Sequence, residues 1–494
     1  MDTAESMASP RLPVAGPEAL DPDAVLRIAR GAAVPELAPA LLRDLDERRA
    51  RMLAVLATGR PVYGVTTGMG ALSQHRLDED AQARHQEALL LARSAGGPPW
   101  LAPEEARAVL AVRLRTFLTG DAGVSAALCR RLAELIEHDV LPAIPRGSTG
   151  VAGEIVGLAH LGAALVGTGE TLAGPAGPAL RAAGLAPLRL GPKEGVALIE
   201  GVPTATALAI LLASGARALA RQACLVVAAE FAVTGASRDV LHPGLARGDG
   251  VLAGVTAEMR RLAGTPRQPR ALQPPVSFRA SPQVLALLPR TVERLDSAVE
   301  RALSGVTDSP AFFPDTGEFV GSAGFYGYDL AAHLQALTVA VVGVAELGAA
   351  RLHRMMSTSV TGLHAQLSAD PGPHTGLSTV HKRAVGVAHA LRRQALPATV
   401  GPVEASAGQE DVQAFALEAA DACRAALDGA REVLACELLA VHQARCLGAT
   451  LPQDAGADLV AALDEVAGRL PSSPDDRPFG RDVEVIRALL GEWG

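Results

Sequence analysis

Aromatic residues make up only 3% of the 494-residue chain, and no basic excess exists, the formal net charge being −8. Without surplus cations to displace counterions from phosphates, general nucleic-acid binding is excluded, and an anionic small substrate would need a local cationic pocket. The five cysteines (Cys129, Cys224, Cys423, Cys436 and Cys446) are scattered and form no C-x-x-C pair. That excludes a disulfide framework and a cysteine zinc site, and fits a reducing cytosol. The histidines, among them His333, His353, His364, His374, His381 and His389, show no metal-ligand spacing, so no metal is expected. Alternating strand patterns are scarce and no repeat period is visible. The most apolar long stretch, 331–350, carries His333, Gln335 and Glu346, and reads as a buried core helix rather than a membrane span. The first twenty residues are acidic and Pro/Ala-rich without an apolar signal region, so residues 1–20 read as a disordered leader and the protein as cytoplasmic.

What is present points to a large helical protein. Hydrophobic residues reach 49% against 20% charged, a globular balance, and Ala, Leu, Arg and Glu favour helix because they lose little rotamer freedom there. Pro/Gly clusters separate helical patterns over 104–119, 203–234, 283–304, 329–356, 377–396 and 409–446. Several exceed 20 residues, which suits a bundle. The expected division is a loop-rich N-terminal domain (21–200), a central helical-bundle domain (201–450) and a C-terminal helical tail (451–494). Arg217 and Arg221, four apart, read as solvated or bundle-facing charges, and Lys193-Glu194 as a local pair.

Four separated segments carry a family resemblance. Tyr63-Gly64-Val65-Thr66-Thr67-Gly68-Met69-Gly70 resembles Y-G-V-N-T-G-F-G. Gly147-Ser148-Thr149-Gly150-Val151-Ala152-Gly153-Glu154, followed by Leu158-Ala159-His160, resembles G-S-V-G-A-S-G-D-L-A-P-L-A-H. Pro192-Lys193-Glu194-Gly195-Val196-Ala197-Leu198 resembles P-K-E-G-L-A-L, and Ser406-Ala407-Gly408-Gln409-Glu410-Asp411 resembles S-A-G-Q-E-D. Weaker matches lie at 273–284 and at Thr307-Asp308. In this order the set is similar to the histidine/phenylalanine (aromatic amino-acid) ammonia-lyases over roughly residues 20–450. The resemblance implies a mainly α fold of the fumarase/aspartase-like helical-bundle type. It also implies a homotetramer with shared active sites and a small-molecule substrate bearing a carboxylate.

That family builds a methylidene-imidazolone electrophile from an internal Ala-Ser-Gly, the serine losing water. Here the tripeptide is Val151-Ala152-Gly153. Alanine has no leaving group on its β-carbon, so the ring's methylidene cannot form and no cofactor is expected. Other family positions also differ. Val276 stands for a catalytic tyrosine, Glu200 for an asparagine, Val202 for a threonine and Thr66 for the loop asparagine. The S-G-G-N-F-H-G segment reads Gly321-Ser322-Ala323-Gly324-Phe325-Tyr326-Gly327, and S-E-R-R reads Ala349-Ala350-Arg351-Leu352.

By the same resemblance Tyr63 and Glu410 are the candidate proton-transfer groups and Arg279 the carboxylate clamp, suited to bidentate recognition. Arg93 falls in the selectivity pair and favours an anionic or strongly polar group. Glu200, Phe325, Tyr326 and Gln409 complete the candidate substrate contacts. Structural alternatives stay open. Arg93 could pair with Glu200 or Glu410, Tyr63 could serve packing, Ser406 with Gln409-Glu410 could form a capping box, and His160 reads as structural. The functional expectation is an enzyme performing elimination, addition, isomerisation or cyclisation beside a carboxylate without the electrophile, in specialised metabolism. A non-catalytic binding protein and a conventional aromatic amino-acid lyase are the alternatives.

Overall fold

The computed structural model describes residues 9–147, 153–266, 268–401 and 403–493. Val151 and Ala152 therefore lie outside the described residues, whereas Gly153 lies within them. The chain is mainly helical. Its described strands form three two-stranded sheets: Arg11–Val14 parallel to Val34–Leu37, Glu170–Thr171 antiparallel to Gly174–Pro175, and Ala311–Phe313 antiparallel to Glu318–Val320.

The expected helices appear with shifted ends. Pro103–Phe117, Pro203–Thr234, Ser281–Ser304 and Tyr328–Met355 match the patterns closely, and Ser378–Leu391 stops short of Pro397. The pattern over 409–446 begins as a helix only at Ala416. The cause is local: Phe415 holds a positive φ of 50°, and just upstream Ser406 and Ala407 do too (53° and 54°), with Ala405 bridging Glu410. A helix cannot run through left-handed residues, so Ser406–Gly408 closes as a 3-10 turn.

Two compact units result, each assembled from three stretches. The first comprises Met1–Leu211, Asp296–Leu334 and Pro397–Ala420; the second comprises Leu212–Leu295, Gln335–Leu396 and Asp421–Gly494. The units interleave along the chain, whereas the sequence reading drew consecutive boundaries. Four of their five junctions fall inside long helices, which composition cannot reveal.

In the first unit Pro103–Phe117 buries Val109, Leu110, Val112, Leu114 and Phe117, each worth about 1.5–3 kcal/mol relative to exposure. The start of Pro203–Thr234 is fixed by Glu154, whose carboxylate accepts the backbone N–H groups of Thr204 and Ala205, both at 2.6 Å. A carboxylate there satisfies donors that a helix leaves open and opposes the positive end of its dipole. In the second unit Leu219, Val226, Phe231, Phe278 and Leu438 are buried. Glu194–Thr234 and Tyr328–Met355 are long and apolar enough to cross a membrane by length and composition. The most apolar window of the former is 94% buried inside the protein, as a core segment is, and that of the latter 56%.

Candidate active site

Tyr63 projects from a loop that its own sequence tightens. Gly64 takes φ +69°, and a Cβ there would come within 2.9 Å of Met69 Cγ, so glycine is required. Thr66 Oγ1 accepts the Val62 N–H at 2.7 Å, and buried Thr67 Oγ1 accepts that of Gly64 at 3.3 Å. Thr66, singled out as a departure at the site, therefore holds the loop itself. The Tyr63 hydroxyl accepts the Gly70 N–H at 2.7 Å, and the ring remains 38% exposed. A packing role would have buried it.

Gln86 joins this loop to two helices. Fully buried on Glu79–Arg93, it accepts the N–H groups of Gly195 and Val196 at 3.0 and 3.3 Å and donates to the Gly64 carbonyl at 3.4 Å. Gly195 must be glycine, because a Cβ would meet the Gln86 carbonyl oxygen at 2.2 Å. Seven residues beyond Gln86, Arg93 stands on the same helical face. Burial lowers its pKa, and the charges of Tyr63, Glu200 and Glu410 act against that lowering. Among the described residues Arg93 forms no ion pair, so the structural pairing with Glu200 or Glu410 is not made. His85, two turns earlier, has its pKa lowered by burial and by Arg93, and its Nε2 is buried without a partner among the described residues.

The Glu410 loop meets the Tyr63 loop where Gly70–Leu72 lies against Ser406–Gly408. Glu410 Oε1 accepts the Ser406 hydroxyl at 2.8 Å. That hydroxyl orients a carboxylate within a turn and not at a helix start, so the capping-box reading is corrected. Gln409 is exposed at the end of the turn. Phe325 lies against Gly153, 3.6 Å from where a Cβ would stand. The Tyr326 hydroxyl donates to the Gln413 carbonyl at 3.2 Å, which commits it to the backbone, and its ring stacks on Tyr328.

Beneath these groups lies a buried charge cluster that the sequence reading missed in part. Lys193 Nζ pairs with Asp308, not with Glu194. Lys193 takes a left-handed φ of 72° at the start of Glu194–Ile199. Glu194 turns instead to the Ser125 hydroxyl and N–H, at 2.7 and 2.9 Å, and to the Gly191 N–H at 2.7 Å. The local pair was therefore a wrong expectation; sequence adjacency does not make side chains face one another across a helix start. Arg113, within the apolar pattern of Pro103–Phe117, donates to the carbonyls of Glu200 (2.5 Å) and Ala197 (3.4 Å) and lies over Phe117. Burial lowers its pKa to about 10, leaving it charged at neutral pH. Burial pushes Glu154 up to about 7, moderated by its two N–H donors. Burial, reinforced by Asp308, pushes Glu200 to about 8 against the pull of Lys193 and Arg113. The available signal was a charged residue inside each apolar run.

Structure thus brings Tyr63, Arg93, Glu200 and Glu410 together in the first unit. Arg279 ends the short helix Val276–Arg279 of the second unit, half-buried next to buried Phe278, with Val276 68% exposed. His160 accepts the Gly96 N–H at 3.2 Å beside Trp100, a structural role as expected. Among the described residues no group of three or more His, Cys, Asp or Glu could hold a metal ion.

The family model of the aromatic amino acid lyases matches residues 20–467. The chain belongs to that family. This lyase-family protein is 32% identical to a histidine ammonia-lyase of Anaeromyxobacter sp. (strain K), over 97% of its own length and 98% of the relative's. It is 31% identical to a tyrosine ammonia-lyase of Cupriavidus metallidurans, over 95% and 94%. The crystal structure of a tyrosine aminomutase from Streptomyces globisporus superposes with a TM-score of 0.91 at 26% identity, covering 98% of this chain and 97% of that one. The mainly helical ammonia-lyase fold is that of this chain, and the family is one of enzymes acting on amino acids.

Proposed function

We propose that this lyase-family protein is an enzyme acting on a polar, amino-acid-like substrate beside its carboxylate, without an electrophile made from its own backbone. Tyr63 and Glu410 move protons, and Arg279 binds the carboxylate. The observation that carries the reading is Arg93, a half-buried cation beside Tyr63, Glu200 and Glu410 and held by no ion pair among the described residues. A bare aromatic side chain gains little from such a neighbour, whereas an anionic or strongly polar group gains charge-assisted hydrogen bonds.

The residues do not fit the family's electrophile. Its methylidene needs an oxygen that departs from the central β-carbon, and Ala152 carries only a methyl. The rate must come from a better leaving group or a more acidic α-proton. Elimination, addition, isomerisation and cyclisation all satisfy that requirement. The half-buried apolar window of Tyr328–Met355, with Val339 51% exposed, supports covering by further copies of the chain, as in a homotetramer.

The second reading is conventional ammonia elimination. Two relatives 31–32% identical over nearly their full lengths are named histidine and tyrosine ammonia-lyase, and on that ground it has the stronger support. One experiment separates the two. Intact mass is measured together with assays of L-histidine, L-tyrosine and amino acids bearing anionic side chains. A mass equal to the unmodified chain, with turnover of a polar substrate, supports the first reading. A mass short by two waters, with ammonia released from histidine or tyrosine, establishes the second.

A further inference from the structure

The cluster beneath the site has its charges distributed unevenly. Arg113 is committed to two backbone carbonyls and the Phe117 face, and Lys193 to Asp308. Glu154 is held by two N–H groups at a helix start. What remains is one guanidinium, Arg93, facing two carboxyl groups, Glu200 and Glu410. Glu410 has the Ser406 hydroxyl on it. Glu200 has nothing: it is 7% exposed, its backbone carbonyl is pinned by Arg113, and among the described residues its carboxyl accepts and donates no hydrogen bond. An ionised carboxylate without a hydrogen-bond donor, in low dielectric beside Asp308, is costly; the same group carrying a proton is not.

We infer that Glu200 stands in the site as a neutral carboxylic acid and hands its proton to the atom that leaves the substrate. The inference rests on the enzymatic reading above and adds its acid. In an elimination the Tyr63 hydroxyl first gives its own proton to the Glu410 carboxylate; the phenolate oxygen then takes the proton from carbon, and the C–H electron pair becomes the new π bond. The bond from carbon to the leaving atom breaks with its pair on that atom, which takes the Glu200 proton. Glu200 is left as a carboxylate near Arg93 and the Lys193–Asp308 pair, and is reprotonated from water. The leaving atom this serves is a nitrogen or oxygen with a free lone pair, which would otherwise depart as an anion. Among the described residues Asp308 and Glu410 favour the protonated form of Glu200, while Lys193, Arg113 and Arg93 oppose it.

Infrared difference spectroscopy tests this without any substrate. The wild-type protein minus Glu200→Gln is recorded from pH 5 to 10. A protonated-carboxyl stretch present at pH 7 and lost with a midpoint near 8 supports the assignment. An empty difference at pH 7 overturns it. Should the glutamine variant fail to fold, Glu200→Asp keeps the acid and must move the band; an unmoved band overturns it equally. With the substrate found in the assays above, kcat/KM should lose its alkaline limb in Glu200→Gln and fall at least 100-fold at pH 7. A limb that persists at the same midpoint removes Glu200 as the acid. Absence of any turnover would count against the enzymatic reading while the spectroscopic result stood by itself.

Discussion

Lys193 and Asp308, 115 positions apart in the chain, form a buried ion pair in which the lysine is fully enclosed. Among the described residues Asp308 Oδ1 has no hydrogen-bond partner, so the lysine is what makes the carboxylate tolerable there. Removing the cation leaves an uncompensated buried charge, which typically costs about 3–5 kcal/mol. Lys193→Met should lower the unfolding free energy by roughly that amount in a denaturant titration at pH 7. Replacing both partners by apolar residues should cost much less. A Lys193→Met loss of under about 1 kcal/mol would show that the pair is not what stabilises this region.

Two further buried acids set the pH response. The folded state binds protons on Glu154 and Glu200 more tightly than the unfolded chain does, their pKa values standing at about 7 and 8 against an ordinary 4.5. Where the folded state holds more protons, stability falls as pH rises. Their contribution is therefore complete below the ordinary carboxylate range and is lost as pH climbs from about 4.5 through 7 and 8. Thermal melts from pH 5 to 9 should show declining stability. Glu154→Gln should flatten the decline while costing on the order of 1 kcal/mol at pH 7 for a weakened helix cap. A profile that rises across this range would contradict the assignment of burial as the cause.

Within the second unit, Arg351 makes a sharper asymmetry. Its Nε donates to Glu230 at 2.7 Å, its Nη1 to the Ser281 hydroxyl at 3.0 Å, and its Nη2 reaches both Glu437 oxygens at 2.8 and 3.1 Å. Burial, with Glu437 beside it, pushes Glu230 well above the carboxylate range. A proton held on Glu230 would balance two carboxyls against one guanidinium, and a pair of variants tests that. Glu230→Gln removes little charge at pH 7 and should change stability by about 1 kcal/mol or less, whereas Arg351→Met should cost about 3–5 kcal/mol. Equal losses in the two variants would mean that Glu230 is ionised.

The sequence made much of this legible, for identifiable reasons. Apolar spacing located the helices, and the loop motifs located Tyr63 and Glu410, because both are written in neighbouring residues. The charge cluster was not legible. Arg113 to Glu200 and Lys193 to Asp308 are contacts across 87 and 115 positions, and local pattern carries no trace of them. The helix expected from 409 failed because Phe415 holds a positive φ, which apolar spacing does not reveal. The interleaved units were equally hidden, since four of their five junctions fall inside long helices.

Arg93 should govern which substrate is accepted. A charge-assisted hydrogen bond is worth about 1.5–3 kcal/mol, roughly ten- to hundredfold in kcat/KM. Arg93→Met should therefore lose that factor on a substrate with an anionic side chain and lose little on L-histidine. The ratio of the two kcat/KM values is the measurement. An unchanged ratio would return Arg93 to a structural role, and a fall in melting temperature without a change of ratio would support the same conclusion.

Tyr63 offers the most direct test of the chemistry. Its hydroxyl makes one hydrogen bond to a backbone N–H, and its ring is more than a third exposed, so the residue contributes little to packing. Tyr63→Phe should cost no more than about 1 kcal/mol of stability. Removing a positioned proton-transfer group typically costs about 10²–10⁴-fold in rate. The variant should thus remain folded with near-native melting while kcat falls by at least about 100-fold and KM changes little. Because the Gly70 N–H loses its acceptor, the loop could shift; a crystal structure of the variant with the loop in place would assign the rate loss to the missing hydroxyl. Turnover within about twofold of the wild type would remove Tyr63 from the reaction and leave Glu410 to act without it.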